Sequence, residues 1–322
     1  MKMNKMLEVK NLSVCFKDEQ SNSLKAVDGL NFHLNKNEIL GIVGESGSGK
    51  TLTAYSILGL LPDDAKVVSG NIIYKDTDLL RLRKNELIKY RGKEISMILQ
   101  DPMISLNPIM KAGEQISEAI AAHNNLPEKV IKQNAIELLR KVGIPEPEKR
   151  YNSYPFSLSG GMCQRVMIAI AIANNPSILI ADEPTTSLDV TIQASILKLL
   201  KEIKDERNEF SMILITHNLA IVKQICDRVI VMYGGKVQEE SATRELFESP
   251  KHPYTMGLIE SVPFGKDKSK PLPQIQGNVP DLSSMPAGCK FSDRCPKVFA
   301  KCKEEPEIKE IEKNKFVRCH LY

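Results

Sequence analysis

The chain changes its hydrophobic rhythm several times, and each change predicts a different kind of element. Residues 7–34 alternate apolar and polar positions ("LEVKNLSVCF", then "KAVDGLNFHL"), which predicts strands with one buried face. "EILGIVGE" at 38–45 drops the alternation for a short apolar run bounded by glycine, the pattern of a strand covered on both faces. Two more such runs, "SILIADE" at 177–183 and "SMILITH" at 211–217, are each followed by a helical pattern. Together they predict an α/β core built on a parallel sheet. Between Pro108 and Ser157 the period becomes helical: Ile131, Ala135, Leu138, Leu139 and Val142 fall on one face, and Gly143 with Pro145 ends the helix. From Pro263 the chain turns rich in Pro, Gly and Ser and reads as an extended connection to a cysteine-bearing tail.

With 322 residues the chain exceeds one ordinary core, so a main domain with a smaller appendage is expected. Composition adds exclusions. Apolar content of 42%, charged content of 26% and a net charge of +4 with both signs interspersed give no broad basic face, so no nucleic-acid partner is expected. The first residues are basic, but Glu8 and Lys10 interrupt any secretory apolar core, so a cytoplasmic location is expected. The longest apolar run, Val166–Ala173, is far below the ~18 residues that span a bilayer. If a membrane is involved, other chains must cross it. No internal repeat is present.

Three motifs carry chemistry. "GESGSGKT" comprises Gly44, Glu45, Ser46, Gly47, Ser48, Gly49, Lys50 and Thr51 and fits the phosphate-loop pattern. Its glycines let backbone N–H groups curl around phosphate, Lys50 reaches the terminal phosphates, and the Thr51 hydroxyl takes Mg2+. A buried strand runs into it, and "KTLTAYSILGLL" continues as a helix whose N-terminus faces the anion. "ILIADEP" places Asp182 and Glu183 where a strand leaves the core; Asp182 suits the Mg2+ shell, and Glu183 suits orienting or deprotonating a water. "LSGGMCQR" opens a helix with Ser159 as N-cap, while Gly160 and Gly161 expose first-turn N–H groups to a close phosphate. Cys15 and Cys226 read as buried apolar residues.

The order of these motifs, with "MILQDP" between the first and the last two, resembles the ATP-binding subunit of an ABC transporter. The resemblance implies a fold: a P-loop ABC ATPase with parallel core sheet, antiparallel β subdomain and helical subdomain. It also implies roles. Gln100 corresponds to the glutamine that senses Mg2+ and the membrane partner, Asp189 to the loop of "SLD", His217 to the histidine that contacts the γ-phosphate, and Phe16 to the aromatic on which adenine stacks. Phe16 on an alternating strand also has a plain reading as core.

"MILQDPMISLNP", "GGMCQRVMIAIAIA", "TTSLDVTIQASIL", "HPYTMGLIESVP" and the tail "AGCKFSDRCP" with "VRCHLY" are similar to the D-type ATPase of oligopeptide and dipeptide importers. Cys163 departs from that pattern, which has a long polar residue there. On this resemblance residues 1–262 form the nucleotide-binding domain, with a helical insertion at about 103–158, and 263–322 form a C-terminal extension. The implied partners are a second ATP-binding subunit in a heterodimer, two transmembrane permeases and, indirectly, an extracellular solute-binding protein; the implied location is the inner face of the cell membrane. Ser159, Gly160 and Gly161 would serve the nucleotide held by the partner ATPase. A nickel importer of the same family is the nearest alternative. A soluble ABC ATPase is more remote, since one chain would normally carry two phosphate loops.

Cys289, Cys295, Cys302 and Cys319 share the short tail, which has few apolar residues for a core of its own. In a reducing compartment four thiols suit a tetrahedral Zn2+ or a 4Fe-4S cluster, and the D-type resemblance favours the cluster. His320 is a possible replacement ligand.

Overall fold

The computed structural model describes residues 5–17, 23–186, 188–207, 209–262 and 273–322. Pro263 and the start of the proline-rich connection lie outside them. The chain opens with β1 (Lys5–Lys17), β2 (Ser23–Asn35), β3 (Ile39–Val43), α1 (Lys50–Leu58), β4 (Ala65–Tyr74) and β5 (Thr77–Asp78). There follow α2 (Lys84–Leu87), β6 (Ile95–Ile98), α3 (Pro102–Ser105), α4 (Ala112–Ala121), α5 (Glu128–Lys141), α6 (Pro147–Arg150), α7 (Gly160–Ile172), β7 (Ile178–Asp182) and α8 (Val190–Asp205). The last part holds β8 (Ser211–Thr216), α9 (Leu219–Ile225), β9 (Arg228–Tyr233), β10 (Lys236–Ala242), α10 (Thr243–Glu248), α11 (Pro253–Glu260), β11 (Lys309–Glu312) and β12 (Lys315–Val317). Two compact units result: Met1–Arg81 with Leu214–Tyr322, and Leu82–Ile213.

In the first unit, β2, β1, β4 and β5 form an antiparallel sheet in that order. The alternation of β1 resets at Asn11, whose φ of 47° accompanies a register shift, so Val9 and Leu12 are both buried. A second sheet runs β11, β12, β10, β9, β3, with β3 parallel to β9 and the remaining pairs antiparallel. All five residues of β3 are buried, as its unbroken apolar run predicts.

β10 stands out in this sheet for its polarity. "KVQEES" reads as a solvated strand, yet every one of these residues is buried. Each long polar side chain has a partner, which is what makes burial tolerable. Lys236 pairs with Asp28 and Glu305 at 2.7 Å, and Gln238 donates to the Tyr233 carbonyl. Glu239 accepts the N–H groups of Lys251 and His252 at 2.8 Å, and Glu240 pairs with Arg228. The cover is the C-terminal tail itself, which adds β12 beside β10 through Glu239 opposite Val317 and Glu240 opposite Phe316.

In the second unit, β6 and β7 pair in parallel, and every residue of β7 is buried. α5 buries Ala135, Ile136 and Leu139, followed by Val142 at its end. Ile131 and Leu138, expected on the core face, are half-buried, and Ile136 takes the deeper place. The apolar stripe is rotated by part of a turn from the one expected.

Candidate phosphate and carboxylate sites

The first unit holds the glycine-rich loop Gly44–Thr51, a candidate phosphate site shaped for close backbone approach. β3 ends at Val43, and the loop that follows turns on three glycines with positive φ: Gly44 (154°), Gly47 (78°) and Gly49 (95°). A Cβ at Gly44 would meet the Met232 carbonyl oxygen at 2.2 Å, and one at Gly49 the Ala26 carbonyl oxygen at 2.7 Å. No other residue fits those places. Lys50 opens α1, and its ammonium donates to the carbonyls of Gly44 and Glu45 at 2.8 Å and to Ser48 Oγ at 3.3 Å. Thr51, half-buried in the first turn of α1, stands where the helix N-terminus favours anions.

Glu45 is gripped by residues that the motif does not contain. Its N–H donates to Tyr254 Oη at 2.9 Å, and its carboxylate takes a two-pronged pair from Arg294, with Nη1 to Oε2 at 2.6 Å and Nη2 to Oε1 at 3.2 Å. Nothing in the sequence pattern marks these contacts, since 209 and 249 positions separate the partners. Phe16 is half-buried on β1, opposite Leu24 and Ala65. His217 is exposed directly after β8.

The second unit brings Gln100 and Glu183 together. The register of β6 on β7 sets Ile98 opposite Ala181, so each residue lies two positions beyond a paired strand end. Gln100 Nε2 donates to Glu183 Oε2 at 3.3 Å, and Thr186 Oγ1 donates to the same oxygen at 2.8 Å. No motif marks Thr186. Glu183 sits at φ 45°, a conformation that costs a non-glycine residue energy. Asp182 before it is buried, 1% exposed.

The glycine pair opens α7 as expected: Ser159 Oγ accepts the Met162 N–H at 3.3 Å. Gly161 has a second reason to be glycine, since a Cβ there would lie 2.9 Å from Ile192 Cγ2. Asp189 caps α8, its carboxylate accepting the Ile192 N–H at 2.9 Å. Cys163 is fully buried, its thiol donating to the Pro155 carbonyl, and burial pushes that thiol up in pKa. The departure from a polar residue at Cys163 is thereby absorbed into the core. Cys15 and Cys226 are buried as expected. Past Gln100 the chain exposes large apolar side chains, Ile104 at 83% and Ile109 at 82%.

The four tail cysteines lie within electrostatic reach of one another. Among the described residues no three His, Cys, Asp or Glu side chains are grouped to hold a metal ion. The thiols are near enough to influence one another: burial first, then their neighbours, raises Cys289 to about 11 and lifts Cys295 and Cys319. The donor chemistry suits a metal, which binds the thiolate form and displaces the proton, but no three of these side chains are grouped around one point. The tail also has a fastening that its sparse apolar residues do not predict: β12 on β10, the Cys289 N–H on the Cys302 carbonyl at 3.0 Å, and Phe291 packed against Tyr233 and Tyr254.

Comparison with known proteins adds to this geometry. The ABC transporter family matches residues 27–186, and the C-terminal region of the oligopeptide/dipeptide transporter family matches 238–302. The oligopeptide transport ATP-binding protein AppD of Bacillus subtilis is 47% identical over 99% of this chain and 98% of its own. The dipeptide transport ATP-binding protein DppD of Haemophilus influenzae is 46% identical over 98% and 95%. Among solved structures, a dimer of the ATP-binding cassette MJ0796 bound to ADP and Pi shares 29% identity at a TM-score of 0.67, covering 74% of this chain and 99% of that one.

Proposed function

Because this chain belongs to the ABC transporter family, among the ATP-binding subunits of oligopeptide and dipeptide transport, we propose that it binds ATP on the loop Gly44–Thr51 and hydrolyses it to drive uptake of short peptides. The observation that carries the reading is the loop itself, with its positive-φ glycines, Lys50 folded along its carbonyls and a helix N-terminus behind it. Lys50 binds the phosphates, and Phe16 supplies a half-buried face for adenine. Glu183, steadied by Gln100 and Thr186, orients and deprotonates the attacking water, and His217 contacts the γ-phosphate. Mg2+, for which Thr51, Gln100 and Asp182 are the candidate ligands, neutralises phosphate charge.

Ser159, Gly160, Gly161 and the loop at Asp189 act on the nucleotide of a second ATP-binding subunit. The exposed apolar stretch after Gln100, with Ile104 and Ile109, suits docking on a permease pair, because large exposed apolar groups mark interaction surfaces. No described helix is long and apolar enough to cross a membrane, and the chain is taken to sit peripherally on the permeases. Titration of ATP into the full chain tests the core of this reading: Lys50→Ala should remove measurable binding, and unchanged binding would refute it. Whether the cargo is a peptide or nickel is decided by what the cognate solute-binding protein binds.

The four tail cysteines support a second, narrower reading, a 4Fe-4S cluster or Zn2+ on Cys289, Cys295, Cys302 and Cys319. It rests on their mutual electrostatic reach and on the C-terminal match. Anaerobic purification with iron and zinc analysis tests it; metal-free protein that binds ATP normally would dismiss it.

A further inference from the structure

We propose that Arg294 is a positioning residue for the phosphate loop: it neutralises Glu45 and, with Tyr254, anchors the loop, so that the C-terminal extension sets the affinity for ATP. The inference rests on Gly44–Thr51 being the ATP-binding loop. Arg294 stands on a short turn of the tail between Phe291 and Cys295, yet its side chain is only 6% exposed. Its donors are well used. Besides the pair to Glu45, Nε donates to the Gln276 carbonyl at 3.0 Å, Nη1 reaches Tyr233 Oη at 3.4 Å, and the guanidinium lies 5.7 Å from the Tyr233 ring centroid.

A guanidinium held this way cannot swing elsewhere, and it holds Glu45 in return. Glu45 is then fixed at three points: its N–H by Tyr254, its carbonyl by Lys50 and its carboxylate by Arg294. The charge matters as much as the geometry. A loop that binds a polyphosphate through its backbone N–H groups carries a carboxylate at its second residue, and a bare carboxylate there opposes the ligand. Arg294 supplies the cancelling charge in a bidentate, charge-assisted pair.

The test is titration of Mg-ATP into the full chain for the wild type, R294A, R294K, E45Q and the double variant R294A/E45Q, with K50A as the control for the loop. R294A should weaken ATP about tenfold or more, while R294K, which keeps the charge but loses the two-pronged fork, should fall between R294A and wild type. R294A/E45Q should recover most of the loss, since removing the carboxylate removes the repulsion. A merely structural pair would lower Tm in step with affinity, so the Tm of each variant is read beside its titration, and R294A should lose affinity with little change in Tm. Wild-type affinity in R294A, or a double variant no better than R294A, would overturn the proposal. If R294A does not fold, a double variant tenfold weaker than R294K would do the same. Loss of ATP binding in K50A together with wild-type binding in R294A refutes this proposal alone; wild-type binding in K50A refutes the loop assignment beneath it.

Discussion

The side-chain amide of Gln100 donates to the Glu183 carboxylate at 3.3 Å, beyond a parallel strand pair whose register sets Ile98 opposite Ala181. The contact joins the segment that leads to the exposed Ile104 and Ile109 with the carboxylate proposed to activate water. Ligands of α/β sheets gather at the carboxyl ends of strands, and these two residues are placed there by backbone pairing, with no long-range side-chain packing required.

Glu183→Gln should therefore cut ATP hydrolysis by about a hundredfold to ten-thousandfold, the range for a positioned base, while leaving ATP binding nearly intact. Steady-state phosphate release in the assembled transporter, set beside ATP titration of the same variant, is the check. Full turnover would remove Glu183 from that role.

Much of the fold and of the candidate phosphate loop is legible in the amino-acid sequence. The continuous apolar runs announce β3, β7 and β8, and the glycines of the phosphate loop announce their own backbone angles. What the sequence hides depends on distance along the chain. β10 reads as surface because the tail that covers it arrives roughly 75 residues later. Arg294 reads as one more charged residue in a charged tail, because its partner Glu45 is 249 positions away. The tail looks too poor in apolar residues for a core of its own, and its sequence does not show that it borrows Tyr233 and Tyr254 from the body of its unit.

Gly161, proposed to face a partner's phosphate, is expected to be a packing constraint as well. A Cβ 2.9 Å from Ile192 Cγ2 is too close, so the Ile192 side chain or the backbone must give, and overpacking of this kind costs about 1–3 kcal/mol. Urea denaturation of Gly161→Ala should show that loss, and the double variant with Ile192→Ala should regain most of it. Additive losses would mean that the two residues do not meet.

Stability should also fall in mild acid through His252. Burial holds its imidazole neutral, with its pKa lowered to about 3, while Nδ1 accepts the Tyr254 N–H at 3.0 Å. The unfolded chain takes up that proton near pH 6.5 and the folded chain does not, so stability is complete above pH 6.5 and is lost as pH falls toward 3. His252→Asn keeps a capping acceptor but carries no titrating group. Its stability deficit relative to wild type should shrink by roughly 1 kcal/mol per pH unit below about pH 6; a constant deficit from about pH 7 to about pH 5 would contradict the assignment.

The fastening of the tail gives the last prediction. Phe291 is 1% exposed, with ring centroids 5.3 Å from Tyr233, 5.2 Å from Tyr254 and 5.9 Å from His252. Truncating a buried phenylalanine costs about 3–5 kcal/mol, because the rings around it are left facing a void. That loss falls on the segment that also carries Arg294, so Phe291→Ala should release the tail before it unfolds the rest. Limited proteolysis should cut near residues 273–302 in the variant well before any cut appears in wild type, and ATP affinity should drop with it. If the tail stays protected in F291A prepared without iron or zinc, the ring cluster is not what holds it, and the pairing of β12 with β10 must carry the module alone.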